Sequence, residues 1–119
     1  MQRKRGHGAV IGALLLGAAG LAPAAGAASF DCTLPDLAPD EQVICNERDL
    51  NDADVRMVTT LDFLTGLFAM GRRGDIMDDQ AKWLHERMAC GADAECIRAA
   101  YARRQQQLQD IYDSIDRPL

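Results

Sequence analysis

From residue 39 onward the apolar side chains recur every three or four positions and never alternate, which is the period of helices with one buried stripe and not of strands. Pro39 suits a first helical position, Asp40 and Glu41 place negative charge on the amide-rich end, and Val43 and Ile44 give apolar contacts to a short helix ending near Cys45. A break is expected at Asn46 and Glu47. Over residues 50–68 the stripe runs Leu50, Ala53, Met57, Leu61, Leu64 and Phe68, predicting a second helix in which Gly66 costs about 1 kcal/mol relative to Ala. Gly71 and Gly74 around Arg72 and Arg73 predict that this helix stops there and the chain reverses, with Asp75 free to cap a third helix. Ile76, Gln80, Trp83, Leu84 and Arg87 share one face of that third helix, which Gly91 ends just after Cys90. The last and longest helix is expected to open at Asp93 and to carry Ile97, Ala100, Tyr101, Arg104, Leu108, Ile111 and Ile115 towards Pro118. The predicted fold is an all-α, small antiparallel bundle of three main helices and one short one.

The first 27 residues are a different kind of sequence. Arg3-Lys4-Arg5 is followed by an apolar run of small residues and leucines over residues 10–21, too short to span a bilayer comfortably, and then by the small side chains of Ala25-Gly26-Ala27. This pattern predicts a secretory signal peptide over residues 1–27, cut after Ala27 or at a neighbouring Ala, and one helical domain over residues 28–119. Ser29-Phe30-Asp31 before Cys32 is too bulky and charged for a lipid-modified cysteine, so no membrane attachment is expected after cleavage. Residues 28–38, with Pro35 inside and Pro39 just beyond, show no apolar period and read as an irregular arm.

Removing the leader changes the charge. All 18 acidic residues and 10 of the 13 basic ones lie beyond residue 27, so the formal charge goes from -5 to 10 minus 18, or -8. Such a chain is a poor partner for nucleic acid. A domain this short also has a thin stability margin, which makes its four cysteines informative.

Cys32, Cys45, Cys90 and Cys96 make an even set in a short exported chain, the mark of a disulfide framework. Three connectivities are open. On one continuous helix Cys90 and Cys96 would be separated by about 9 Å of rise, too far for a bridge, but Gly91 interrupts the helix between them. Turn geometry therefore favours Cys90 with Cys96, and the arm lets Cys32 fold back on Cys45. Neither spacing suits a zinc knuckle, His85 is the only histidine beyond the leader, and no Cys-x-x-Cys run exists for thiol exchange or haem attachment. No metal or cofactor is expected.

Candidate catalytic groups are sparse. His85 beside Glu86 and Asp79 reads as a solvent-facing residue, and Asp78-Asp79 and Asp52 with Asp54 read as solvated helix faces. Arg73-Gly74-Asp75 spells an adhesion tripeptide, yet Gly-Asp is ordinary turn chemistry. The chain is not expected to be an enzyme.

The most specific pattern is the constellation Phe30-Asp31-Cys32, Glu41, Ile44-Cys45, Leu50, Asp54, Gln80-x-x-Trp83-Leu84-x-x-Arg87-x-x-Cys90, Cys96-Ile97, Tyr101 and Arg104. It resembles the LprI-type lysozyme-inhibitor-like family of small exported bacterial proteins over nearly all of residues 30–108. This chain departs from the family pattern at Ala53 and Leu61 and in its Gly71-Arg-Arg-Gly74 connection. The resemblance implies a helical periplasmic or secreted protein that inhibits lysozyme. The charge of -8 suits a basic lysozyme, and a chain without catalytic groups is expected to inhibit it by occlusion. The motif's helical spacing gives Gln80, Trp83, Leu84, Arg87, Tyr101 and Arg104 mainly a core role, with Trp83 filling the interior and Arg87 pairing a carboxylate, and a binding role as the alternative. The competing functional reading is a non-catalytic envelope interaction or stress-stability module with no lysozyme target.

Overall fold

Four helices form in the order α1 (Pro39–Asn46), α2 (Arg48–Leu67), α3 (Met70–Ala89) and α4 (Ala94–Asp113) in the computed structural model, which describes residues 28–117. The predicted signal segment therefore lies outside the described residues, whereas the last helix is shorter than expected. It stops at Asp113, capped at Ser114, where the Ser114 hydroxyl turns back to the Ile111 carbonyl, so Ile115 lies beyond it and the run towards Pro118 is not made. Among the described residues there is no strand, and the all-α bundle of three long helices and one short one is as the periodicity predicts.

Each boundary has a local cause. Pro39 opens α1 without losing a bonded amide, and the Glu41 carboxylate accepts the Ala38 N–H at 3.0 Å, which satisfies one of the donors left open at a helix start. Glu47 alone separates α1 from α2, in an extended conformation (φ -102°, ψ 111°) that turns the chain. At the other end of α3, Gly91 adopts φ +56°, the left-handed conformation that closes a helix and that side chains with a Cβ resist. Asp93 then caps α4, its carboxylate accepting the Cys96 N–H at 3.1 Å.

The α2–α3 connection corrects the sequence expectation. The reversal takes place in two extended residues, Phe68 and Ala69, and α3 is already helical at Met70, so Gly71, Gly74 and Asp75 lie inside it. Asp75 caps nothing. Glycine's cost of about 1 kcal/mol is small enough to be outweighed near a helix start, where the first amides lack intrahelical partners in any case. Here the Arg73 N–H reaches the Ala69 carbonyl, and its guanidinium Nε donates to the Thr65 carbonyl at the end of α2 at 2.8 Å, tying the two helices together. As a result α2, α3 and α4 are each 20 residues long, and α4 is not the longest.

The interior collects one stripe from each helix: Ile44 of α1, Leu50, Met57, Leu61 and Leu64 of α2, Ile76 and Trp83 of α3, and Ile97, Ala100, Tyr101 and Leu108 of α4. Helix α2 packs most extensively on α4, to which it runs parallel, and α3 returns antiparallel beside both. Both disulfides are the local pairs. Cys32–Cys45 pins the arm to α1, and Cys90–Cys96 spans the turn from α3 to α4, with Cα separations of 5.8 and 5.6 Å. The two bridges, α1, and the starts of α2 and α4 all gather at one end of the bundle.

Candidate functional site

The residues that stood out in the sequence converge inside the bundle. Trp83 points inward, its indole N–H donating to the Ala100 carbonyl at 2.9 Å while its ring meets Tyr101 edge-on at 5.0 Å. One turn away, Gln80 donates to the Met57 sulfur at 3.5 Å and accepts from Arg104 Nε at 2.9 Å, and Arg104 also donates to the Ile76 carbonyl. These polar side chains satisfy one another, which is the condition for burying them. Leu84 is the exception. It sits on the outer side of α3 at 36% exposure, because the buried positions of that helix are Ile76, Gln80, Trp83 and Arg87, and Leu84 lies one position round from that stripe.

Above Trp83 the bundle encloses a charge cluster. Arg87 Nε donates to Asp40 Oδ2 at 2.8 Å and its Nη1 to the Tyr101 hydroxyl at 3.2 Å, and that hydroxyl donates to Asp54 Oδ1 at 2.7 Å. Asp54 Oδ1 also stands 3.9 Å from Arg87 Nη1. The guanidinium lies over the Trp83 and Phe30 rings at 5.7 and 5.6 Å, so both its edge and its face are occupied. Asp40 and Asp54 are 1% and 0% exposed. Burial, reinforced by Asp54, pushes the Tyr101 hydroxyl far above its ordinary range, and the neighbouring Arg87 only partly opposes this. Tyr101 therefore stays a neutral donor within the cluster.

The expected carboxylate partner of Arg87 is Asp40, which the sequence had placed only as a helix-start charge. Asp54 corrects a second expectation, since it is buried and not part of a solvated face. It occupies the position between Leu50 and Met57 on the inward stripe of α2, four residues after one and three before the other. That register was the available signal. Ala53, placed on the stripe from the sequence, is only half-buried.

Outside, the molecule is strongly polarised. At the disulfide-bearing end, residues 31–52 and 86–98 expose eight carboxylates, with Glu41 half-buried, against two cations, exposed Arg48 and half-buried Arg98. Arg98 bridges Asp49 (2.5 Å) and Glu95, and hydrogen bonding to it holds the Asp49 carboxyl below its ordinary range. Hydrogen bonds from Thr33 do the same for Asp31. The four buried charges, Asp40, Asp54, Arg87 and Arg104, sum to zero. The charge of -8 on residues 28–119 thus lies on the surface, most of it at this one end.

The opposite end exposes several large apolar side chains. Phe63 and Leu67 of α2 and Tyr112 of α4 rim a shallow groove floored by Leu64, and Met70 beside it is 87% exposed. A second groove, between α3 and α4, is lined by Asp79, Lys82, Glu86, Arg104 and Asp110. His85 is exposed on α3, and the Arg73-Gly74-Asp75 tripeptide is wound into that helix. Among the described residues no three His, Cys, Asp or Glu side chains converge as metal ligands, and no helix is long and apolar enough to cross a membrane.

No family model matches the chain, and neither the curated proteins nor the solved structures contain a match to it.

Proposed function

We propose that the chain is an exported, non-catalytic protein whose acidic end docks on a basic lysozyme and occludes its cleft. The observation that carries this reading is the concentration of surface carboxylates around the two disulfides, with only Arg48 and Arg98 to offset them. A surface of one sign on one end steers a partner of the opposite sign into a single orientation, raising the association rate more than the intrinsic affinity. The resemblance of the Gln80 to Tyr101 motif to lysozyme-inhibitor-like proteins supports the same reading. The motif's own role in it is architectural, because Gln80, Trp83, Arg87, Ile97 and Tyr101 are buried and Cys90 and Cys96 are bonded to each other. The two disulfides agree with an oxidising compartment.

The test is inhibition of lysozyme on a small soluble oligosaccharide at two ionic strengths. Inhibition should saturate at one inhibitor per enzyme and weaken as salt rises past physiological strength, where the screening length falls below about 8 Å. Glu47→Lys combined with Asp52→Lys at the acidic end should weaken inhibition at least tenfold, while Asp62→Lys combined with Asp113→Lys, far from it, should change it less than twofold. Equal effects from both pairs would refute docking through the acidic end. Failure to inhibit any lysozyme type would favour the second reading, an envelope interaction module. The exposed apolar surface of Phe63, Leu67, Met70 and Tyr112 at the other end supports that alternative.

A further inference from the structure

The buried cluster is one positive charge short. Asp40 and Asp54 are enclosed with a single guanidinium, that of Arg87, and the other partners of Asp54 are neutral donors: the Tyr101 hydroxyl on Oδ1 and the backbone N–H of Ser29 on Oδ2, at 2.7 and 2.5 Å. Arg104, the second buried cation among the described residues, does not fill the gap. Its hydrogen bonds go to Gln80, Gln107 and the Ile76 carbonyl, and the carboxylates that act on it are Asp79 and Glu86. A carboxylate enclosed without a cation is costly unless it is paired.

The nitrogen nearest the gap is the one at Ser29, and the chain around it is fixed. Phe30 packs on the core with its ring against Arg87, and Cys32 is bonded to Cys45. Immediately before Ser29 the sequence reads Gly26-Ala27-Ala28, with small residues at the first and third positions ahead of it, the pattern a signal peptidase accepts. We propose that the leader is removed between Ala28 and Ser29, and that the α-ammonium group so created is the missing counter-ion of Asp54. In that step water adds across the Ala28–Ser29 amide, the new carboxylate departs with the leader, and the Ser29 amine takes up a proton at neutral pH. A neutral amide donor becomes a cation on the same carboxylate oxygen. Processing then supplies a charge at the edge of the buried cluster, in addition to releasing the chain from the membrane.

This inference rests on the export part of the proposed function and not on the lysozyme target. The test uses the full chain, exported by its own leader and recovered from the periplasm. N-terminal sequencing should find Ser29 first. A start at Ala28 or elsewhere overturns the counter-ion proposal and leaves export standing, whereas a retained leader overturns both.

On the recovered protein, acylation of the α-amine at about pH 8, near its ordinary pKa of about 7.7–8.0, should be at least tenfold slower in the folded chain than in the same chain in urea. Equal rates would overturn the pairing. Simple burial of the amine could also slow labelling, so a second measurement separates charge from burial. Retaining Ala27 and Ala28 ahead of Ser29 should lower the melting temperature by about 4 °C or more, and should change it by less than about 1 °C in an Asp54→Asn background. The same loss in both backgrounds would overturn the ion pair. If Asp54→Asn does not fold, the pH profile of labelling decides: pairing moves the half-labelling pH of the folded amine above that of the chain in urea, and a value at or below it, as burial alone gives, would overturn the ion pair.

Discussion

Replacing Arg87 by Met is the most direct probe of how this small bundle is held together. The substitution keeps an unbranched apolar stem between the Trp83 and Phe30 rings but removes the guanidinium. Asp40 then loses its 2.8 Å partner, the Tyr101 hydroxyl loses one donor, and Asp54 loses the cation 3.9 Å away. Removing one side of a buried pair costs about 3–5 kcal/mol, because the abandoned charge stays enclosed. At roughly 0.05–0.15 kcal/mol per residue, a domain of about 90 residues is stable by about 5–14 kcal/mol in total, so this single change removes a large part of it. Asp40→Asn alone should cost less, about 1–3 kcal/mol, since an amide still accepts from Arg87. The double variant should be less destabilised than the sum of the two by at least about 1 kcal/mol, which is the signature of direct coupling. Urea unfolding followed by Trp83 fluorescence reads all three, and Trp83 is the chain's single tryptophan. Arg87→Met losing less than about 1 kcal/mol, or strict additivity with Asp40→Asn, would refute the cluster as a source of stability.

Three further outcomes are expected. Trp83→Ala should cost about 3–5 kcal/mol by opening a cavity under Arg87, whereas exposed Leu84→Ala on the same helix should cost under about 1 kcal/mol; thermal melts of the two variants side by side check this, and similar losses would contradict the assigned faces. Reduction of both disulfides should lower stability by about 5 kcal/mol on the chain-entropy model, about 3 from the 14-residue loop and a little over 2 from the 7-residue one, and a helical dichroism signal indifferent to reductant would argue against it. Stability should also fall in alkali. Tyr101 has a raised folded pKa, so above its unfolded value of about 10 the unfolded chain releases a proton that the folded chain keeps, and stability drops by about 1.4 kcal/mol per pH unit until the folded pKa is reached. In a Tyr112→Phe background, phenolate absorbance should appear only as the helical signal is lost, and a phenolate that forms in the folded chain would refute the burial of Tyr101.

Helix number, helix faces and the sites of the two local bridges were legible because they depend on local spacing. Ile97, Ala100, Tyr101, Arg104 and Leu108 all face inward as their three-or-four period requires. Two things were not legible, for different reasons. Gly71 and Gly74 resembled a stop because glycine is weighed by intrinsic preference, yet the grip of Arg73 on Thr65 is a contact between helices that no local window contains. The burial of Asp40 and Asp54 likewise depends on partners 47 residues away in the chain, Arg87 and Tyr101. Their charge argued for solvent, and only the position of Asp54 in the apolar register argued against it. Within the candidate site, the inward positions of Gln80, Trp83, Arg87, Tyr101 and Arg104 were therefore legible, whereas Leu84 was placed on the wrong side and Asp40 and Asp54 were read as surface.

The disulfide arrangement also bears on how the molecule can be made. The first and second cysteines pair with each other, as do the third and fourth, so the two loops are neither nested nor crossed. For a chain threaded N-terminus first into an oxidising space, the first two thiols to arrive are the native pair, and their bridge can close before Cys90 and Cys96 emerge. Order of arrival alone gives the correct connectivity. An oxidant that joins thiols as they appear is then sufficient, and the shuffling of mispaired intermediates, slow and dependent on an isomerase in proteins whose bridges interleave, has no necessary part in its maturation.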